Sequence, residues 1–551
     1  MPFLAGLLRR LLAPMSLIFF LKPAMRQSLQ TKPVYVLALL FTAVFLPPLA
    51  RRMTRLSREA FTLLEVAAAI HASFESCGAD IWPGYDLSKT PYLLYLPQKL
   101  VLFLNAPFKP EEFQAYPSSW PDLRTTAFLH RGPYRDLVGQ FSFDYPIDSL
   151  SVFAMGMPTE ILFSTEHPAL TLFRTTVHEG FHHFQAHHFG EIPWAREERY
   201  PILDAENIAL ASLEMHVLKD ALLAMKQKNQ KQLNTLLTEF VAVRDFRWRR
   251  GNSFVRRYEQ GQEINEGTAK YVEDKALDCL LALLVKPLHQ SLLAAMKEDL
   301  KYLTSMDVLV QDFEDRFLEG VVAPEDMPRN RIYPVGAALG FLLDALKVNW
   351  KRQFQNAGSE VSFAGLLKVQ LPVDSAQEPI YLREAKTEYR YPQLLASAKK
   401  LIAGYLAEYA RALETFRSSE GTRIEVHLPT NGLQRFRSTK EKRWIVENGR
   451  TQLCLHYNLY SLKSVAGDSV VLELRNRGLL EKNDWQKKQK TVIFYLTQRP
   501  KLILDGVPLR SIRSGRYLFK RLAMTSKHLR LRAGRGGTIV VDKDRIRVEL
   551  R

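Results

Sequence analysis

The apolar residues of this chain change their period near residue 420, and this change limits the folds that the chain can adopt. Before that point they recur at helical spacing, most clearly in 203–228, 231–248, 255–285 and 391–417. After it, short segments alternate apolar and polar residues with a period of two, which is typical of half-buried strands. The sequence therefore predicts an α+β protein in which a mainly helical region precedes an antiparallel β-domain.

Composition and local pattern divide the 551 residues into four predicted parts. Residues 1–58 are an N-terminal membrane anchor or signal segment. Residues 59–165 are a small mixed α/β subdomain, in which 78–107 is typical of a β-hairpin or meander. Residues 166–420 make up the helical region, and residues 421–551 a small sandwich or barrel. The scattered cysteines support neither a cysteine–zinc cluster nor a disulfide scaffold; they are Cys77, Cys279 and Cys454.

The helical region carries the motif His178-Glu179-Gly180-Phe181-His182, which reads H-E-x-x-H. Residues four apart lie on one face of a helix, so His178 and His182 can offer two imidazole nitrogens to one metal ion. Glu179 is near enough to touch a water molecule on that metal. Two nitrogen ligands, a general base and an open position for water are the arrangement of zinc peptidases. A surface or structural helix is the alternative for so short a motif.

A third ligand is available in segment 258–274, where Glu259, Glu263 and Glu266 are spaced i, i+4 and i+7 on one helical face. Three carboxylates on one stripe repel each other unless they are solvated or paired with a cation. An exposed acidic face is one interpretation. The apolar stripe that continues through residues 269–276 instead favours a packed helix.

The string Asn265-Glu266-Gly267-x-Ala269 resembles the helix that supplies the glutamate ligand in gluzincins, the thermolysin-like and aminopeptidase-like zinc peptidases. By this resemblance Glu266 is the third zinc ligand, with Glu263 as the nearest substitute. Gly267 would then permit the close approach of two helices at the metal. The resemblance implies a zincin-like catalytic domain and a zinc metallopeptidase, a hydrolase that uses a metal-activated water with Glu179 as general base. It also implies that 149–163 is a sheet-edge strand that binds extended substrate.

The same resemblance gives a role to Tyr333, which precedes a glycine-containing apolar helix, as does the transition-state tyrosine of gluzincin aminopeptidases. A tyrosine that packs at the start of a helix is the structural alternative. Arg331 is a candidate for binding a substrate carboxylate. Asp204, Glu206 and Glu214 are candidates for hydrogen-bonding the metal-binding histidines from behind.

A competing third ligand is His188, ten residues after His178, where metzincins place their third histidine. That family needs a glycine within H-E-x-x-H-x-x-G-x-x-H to break the helix, and this chain has Gln185 at that position. On a straight helix, ten residues rise about 15 Å, too far for His188 to reach the metal. Glu266 is therefore the preferred third ligand.

The N-terminal sequence predicts an association with membranes. Residues 34–50 carry no charge and are at the short limit for a membrane-spanning helix. A single-pass anchor and a signal peptide both fit, and a buried core helix is a third interpretation. Basic residues flank the segment on both sides, so the positive-inside rule gives little orientation. We favour a catalytic part outside the cytoplasm.

All of the net positive charge lies in the C-terminal quarter. Residues 421–551 hold 29 lysines and arginines against 11 aspartates and glutamates, an excess that equals the net charge of +18 of the whole chain. Such a surface suits anionic lipid headgroups or an acidic polymer, and a solvated basic face is the alternative. Nucleic acid is disfavoured because no readout motif accompanies the charge. The second functional hypothesis is thus a non-catalytic, envelope-associated binding protein with a peptidase-like fold and a basic docking domain.

Overall fold

In the computed structural model, the residues described lie between 57 and 550. The gaps in this range are 119, 136, 138–140, 194, 252, 285–292, 294–299, 301–303, 358–360, 372–375, 431–432, 465–469, 510–512 and 535. The charge-free segment 34–50 lies outside the described residues, so its predicted membrane role stays a prediction. Of the helices in the described part, none combines the length and the hydropathy needed to cross a membrane.

The described residues belong to two compact units, and the α+β class predicted from the sequence is confirmed. The first unit includes 57–71 and 91–172, and the second includes 72–90, 173–284 and 304–550. The helices are α1 (Arg58–Ile81), α2 (Thr159–Leu162), α3 (Pro168–His188), α4 (Ala205–Lys226), α5 (Gln230–Arg250), α6 (Ser253–Gln262), α7 (Thr268–Leu284), α8 (Ser305–Glu314), α9 (Ile332–Ala345), α10 (Lys351–Ala357), α11 (Phe363–Gln370), α12 (Glu378–Glu388) and α13 (Tyr391–Arg417).

The first unit contains a six-stranded sheet in the order β3-β4-β2-β1-β6-β5. Its strands are β1 (Tyr92–Leu96), β2 (Leu100–Leu104), β3 (Gln114–Ala115), β4 (Ala127–Arg131), β5 (Phe141–Ile147) and β6 (Leu150–Gly156). β1 and β2 form the hairpin expected within 78–107. The prediction that 149–163 is an edge strand is wrong, because β6 pairs with β1 on one side and β5 on the other.

The helices of the second unit follow the predicted periodicity with one exception. The segment 255–285, predicted as one helix, is interrupted between α6 and α7 by a π-helical turn, Glu263–Gly267. The long helix predicted at 391–417 coincides with α13. A short hairpin, β7 (Phe317–Leu318) and β8 (Val321–Val322), precedes α9.

The C-terminal part is a sheet of thirteen strands, in the order β16-β15-β18-β19-β12-β11-β13-β14-β9-β21-β20-β17 with β10 beside β11. The strands are β9 (Thr422–Pro429), β10 (Leu433–Val446), β11 (Thr451–Ser464), β12 (Val470–Leu474), β13 (Leu479–Asp484), β14 (Gln489–Leu496), β15 (Lys501–Leu504), β16 (Val507–Pro508), β17 (Gly515–Phe519), β18 (Leu522–Thr525), β19 (Leu529–Ala533), β20 (Gly537–Val541) and β21 (Arg545–Leu550). The described pairs are antiparallel except for β9 with β21. Alternate side chains from strands far apart in this order, such as Leu502 and Ile546, share one apolar core, so the sheet curls over itself.

A disulfide joins Cys77 near the end of α1 to Cys279 in α7, with Cα atoms 6.3 Å apart. The sequence analysis, which found no support for a disulfide scaffold, did not predict this single bridge. The two cysteines are 202 residues apart, and their positions along the chain carry no signal for such a bridge. Cys454 is buried and not disulfide-bonded.

The π-turn and α9 cross at two glycines. A Cβ atom built on Gly267 would lie 2.7 Å from the Cα of Gly336, closer than carbon atoms can pack. Both residues are buried, so the two backbones touch directly. This contact confirms the expectation that Gly267 permits the close approach of two helices.

We predict that Gly336→Ala lowers the free energy of unfolding by roughly 1–3 kcal/mol, because the new methyl group overlaps the backbone of Gly267. Gly404→Ala is the matched control, since a Cβ there meets no heavy atom within 4 Å. In the exposed helix position of Gly404, alanine should raise stability by up to about 1 kcal/mol. Thermal unfolding of both variants measures the difference, and equal midpoints would refute the close packing of α9.

Candidate metal centre

The H-E-x-x-H motif lies in α3, whose two faces pack differently. Phe181 is fully buried and packs edge-on against Trp82, with ring centroids 4.9 Å apart. On the same side the Tyr85 hydroxyl donates a hydrogen bond of 2.9 Å to the carbonyl of Val177. This aromatic contact fixes the rotation of α3 about its axis, so His178 and His182 must face the π-turn and α9.

The ligand atoms of the three predicted metal-binding residues converge. The Nε2 atoms of His178 and His182 are 3.2 Å apart, and they lie 3.5 and 3.3 Å from Oε2 of Glu266. Two atoms bound to a tetrahedral zinc ion at 2.0–2.1 Å are about 3.3 Å apart. Two nitrogens and one carboxylate oxygen also leave a fourth position open, as in catalytic zinc sites. The residues present therefore fit a zinc ion.

The π-turn explains why one glutamate of the three reaches this centre. A π-turn adds one residue to the helix and so rotates the residues after it by about 100° relative to those before it. Glu259 and Glu263 precede or begin the turn, and each accepts a hydrogen bond of 2.6 Å from a buried arginine, Arg247 and Arg244 respectively. The predicted single acidic face is thus wrong, and Glu263 is not available as a substitute ligand.

Behind the centre, three arginines and three glutamates form a buried ion network. Burial by itself raises the pKa of Glu259, yet its arginine neighbours hold this pKa well below the usual value. The side chains of the six residues are at most 1% exposed; they are Glu214, Arg244, Arg247, Glu259, Glu263 and Arg331. Arg331 is therefore paired in the interior, and the suggestion that it binds a substrate carboxylate is wrong.

Glu273 and Gln185, which were not predicted to have this role, lie behind the two histidines. Nδ1 of His178 lies 3.2 Å from Oε2 of Glu273, and Nδ1 of His182 lies 2.7 Å from Oε1 of Gln185. The Gln185 amide also donates to the carbonyls of the π-turn residues Ile264 and Asn265, at 3.1 and 3.0 Å. Such partners leave each Nε2 free to bind a metal. Each supporting residue lies at helical spacing from a predicted metal-binding residue. Glu273 follows Glu266 by seven positions, and Gln185 follows His182 by three.

The three candidates expected to support the histidines have other roles. Asp204 caps α4 by accepting hydrogen bonds from the backbone N–H groups of Glu206 and Asn207. Glu206 forms an ion pair with Arg250. Glu214 belongs to the buried ion network. The prediction for these residues is therefore wrong.

Glu179 and Tyr333 lie beside the ligands. The Tyr333 ring stacks on that of His178 with centroids 5.6 Å apart, and its hydroxyl accepts a hydrogen bond of 3.0 Å from Arg329. Nη2 of Arg329 also lies 2.9 Å from Oε1 of Glu266, the oxygen turned away from the histidines. Burial raises the pKa of Glu179, although His182 and His178 act in the opposite direction. Burial and then the charge of Glu266 raise the pKa of Tyr333, so its hydroxyl stays protonated.

His188 is at the end of α3, which continues unbroken through the metzincin glycine position. Its ring packs on that of Phe184 with centroids 4.2 Å apart, away from the three ligands. The preference for Glu266 over His188 therefore agrees with the geometry.

The β-domain contributes to the surroundings of the centre through the segment 196–199. Arg443 of β10 lies 3.1 Å from Oε1 of Glu197, and Oε2 of Glu197 lies 3.8 Å from Arg329. A Cβ on Gly449, which has a φ of 79°, would overlap the carbonyl oxygen of Glu198. A series of ion pairs thus connects Arg443 in the β-domain, through Glu197, to Arg329, which contacts Glu266 and Tyr333.

No protein-family model, no curated protein and no solved structure matches this chain. The resemblance to gluzincins is therefore carried by the two motifs at 178–182 and 265–269. Their meeting in three dimensions is independent of that resemblance, since it follows from the distances between the ligand atoms.

We predict that Glu273→Gln weakens zinc binding by about 10–100-fold, because the neutral amide no longer supports His178 from behind. Competition with a chromophoric chelator measures the affinity. The exposed residue Glu420 gives a matched control, Glu420→Gln, which should bind zinc as the wild type does. Equal affinities in both variants would show that Glu273 does not orient a metal ligand.

Proposed function

We propose that this protein is a membrane-associated zinc metallopeptidase, a hydrolase that cleaves peptide bonds. The observation that carries the proposal is the convergence of His178, His182 and Glu266 at 3.2–3.5 Å. Glu179 is next to His178 in the chain and interacts electrostatically with both histidines, which supports its role as the general base. A purely structural helix does not require two imidazole nitrogens and a carboxylate oxygen at the spacing of ligands around one zinc ion.

The chain's own residues supply the acid–base steps. A zinc ion, when bound, would activate a water molecule and polarise the scissile carbonyl. Glu179 accepts the proton of the attacking water and passes it to the leaving amine. The raised pKa of Glu179 suits a group that must hold this proton for part of the cycle.

Tyr333 and Arg329 assist in different ways. The Tyr333 hydroxyl donates to the oxygen on which negative charge develops, and its raised pKa keeps that donor protonated at neutral pH. Arg329 binds the free oxygen of Glu266 and the Tyr333 hydroxyl together, so it positions a ligand and a donor relative to each other. Its side chain is half exposed, which leaves donors for a substrate peptide.

The proposed location is a membrane, with the catalytic part outside the cytoplasm. The charge-free run at 34–50 supports the membrane association. The disulfide between Cys77 and Cys279 supports an oxidising compartment, because such bonds are rare in the cytosol. The excess charge of the C-terminal domain supports docking to an anionic surface or polymer, and we do not propose a nucleic-acid partner.

The second candidate is a non-catalytic, envelope-associated binding protein that keeps a peptidase-like fold. Its support is the same basic domain, which would then be the working part of the protein. The presence of Glu179 favours the enzyme, because the general base is not needed to fold the helix. Metal content and peptide hydrolysis separate the two candidates.

Elemental analysis of the purified full chain should find about one zinc ion per molecule. Glu266→Ala should lose it, because three ligands are needed to hold zinc beside an open position. His188→Ala is the matched control and should keep it, since His188 packs on Phe184. A wild-type chain without zinc would refute the peptidase proposal and favour the binding protein.

With zinc retained, Glu179→Gln should reduce peptide hydrolysis by roughly 10²–10⁴-fold, the usual contribution of a general acid–base group. Tyr333→Phe should reduce kcat by about 10²–10³-fold with little change in KM, because the donor acts on developing charge. A library of internally quenched peptides supplies the substrates. Full activity in Glu179→Gln would exclude the proposed mechanism.

A further inference from the structure

A cavity of about 440 Å³ lies between α4, α5 and α12, and its lining does not include the metal centre. Its wall is strongly acidic, with four carboxylates and one guanidinium. The charged lining residues are Asp220, Glu239, Arg383, Glu384 and Glu388. Such a concentration of negative charge around an open cavity attracts cations.

Glu239 is the least exposed of these carboxylates, and it forms no ion pair with a described lysine or arginine. It is 8% exposed, and no described residue forms a hydrogen bond or ion pair with its carboxylate. The buried glutamates of the ion network differ, because Glu214, Glu259 and Glu263 each meet an arginine. The Glu239 carboxylate lines the cavity without a charged partner, and a cation that enters from solution would compensate its charge.

The charged neighbours of Glu239 come from two helices, and they add to the negative charge that a bound cation would compensate. Asp220 of α4 and the pair Glu384 and Glu388 of α12 repel its charge. Burial and these three carboxylates raise the pKa of Glu239 to about 7. The Tyr389 hydroxyl donates a hydrogen bond of 2.7 Å to one oxygen of Asp220, which leaves the other oxygen as an acceptor.

The spread of the carboxylates favours an organic cation over a metal ion. A divalent metal requires several oxygens within about 2.0–2.6 Å of one point. Among the residues that the structure describes, no three of these carboxylates have oxygens that all lie within 4.8 Å of one another. Leu236 and Tyr389 also line the cavity and provide apolar surface for methylene groups. Separated ammonium groups on a flexible aliphatic chain match this pattern.

We propose that the cavity between α4, α5 and α12 binds a linear polyamine, with Asp220, Glu239, Glu384 and Glu388 as its ammonium-binding groups. Each ammonium offers three N–H donors, and charge-assisted hydrogen bonds to carboxylates are the strong ones. The buried Glu239 anchors one ammonium, and the exposed Glu384 and Glu388 bind another nearer the cavity mouth. The site does not depend on the proposed peptidase activity.

Isothermal titration of the full chain with spermidine tests the site. Saturable binding at one site per chain is expected, and Glu239→Gln should weaken it roughly tenfold or more, since a charge-assisted hydrogen bond is lost. Glu384→Gln, at an exposed position where folding is not at risk, should also weaken it. Glu420→Gln is the matched control and should bind as the wild type does. The neutral analogue 1,6-hexanediol should not bind.

Three results would overturn the proposal. They are the absence of saturable spermidine binding at millimolar concentration, unchanged affinity in both pocket variants, and displacement of spermidine by micromolar calcium, which would indicate a metal site instead.

The folding of Glu239→Gln can be checked by thermal unfolding without ligand. Because the pKa of Glu239 is raised to about 7 in the folded protein, its ionised form destabilises the fold. The stability of the wild type should therefore fall, relative to that of Glu239→Gln, as pH rises from about 4.5 through 7. Added spermidine should reduce this difference at pH 8.

Discussion

The buried network of three arginines and three glutamates is the interaction on which the helical region depends. It joins α4, α5, α6, the π-turn and the start of α9, and its charges cancel. In an interior of low dielectric constant, removal of one member would leave a buried charge without a partner, which typically destabilises a protein by about 3–5 kcal/mol. A shift of one helix relative to another would also leave buried charges without partners. The network therefore favours one arrangement of these helices.

The geometry of the candidate metal centre depends on this arrangement of helices. Glu259 and Glu263 are held by the arginines, so the residues after the π-turn have a fixed starting direction. The contact between Gly267 and Gly336 then sets the distance between the π-turn and α9, and Tyr333 lies on that helix one turn before Gly336. Gln185 connects the same π-turn to His182. Glu266 thus lies in the π-turn, and the helices that carry Tyr333 and Gln185 both contact that turn.

Much of the site could be predicted because its signals are local or repeat with the helical period. The pair His178 and His182 is visible as a spacing of four, and α13 and many of the β-strands are visible as periods of 3.6 and 2. The π-turn is not visible in this way, since nothing in the periodicity indicates one extra residue. Because the prediction did not include the π-turn, it placed Glu263 and Glu266 on one helical face and did not distinguish their roles.

The remaining errors concern contacts between residues far apart in the chain. Arg331 and Arg329 are two residues apart and look alike in the sequence, yet one is buried against Glu259 and the other reaches Glu266. The disulfide and the position of β6 inside its sheet likewise depend on pairing over long distances. Such pairings are decided by the packing of the whole fold, which a local pattern does not contain.

The contact of Arg443 with Glu197 has a consequence for how this protein can diversify. A C-terminal domain that was joined to the helical region only through a linker could be exchanged for another during evolution without disturbing that region. Here, a strand of that domain supplies a charge to the residues that surround the candidate metal centre. The β-domain and the segment 196–199 must therefore change together, and shuffling of the two regions as independent modules is disfavoured.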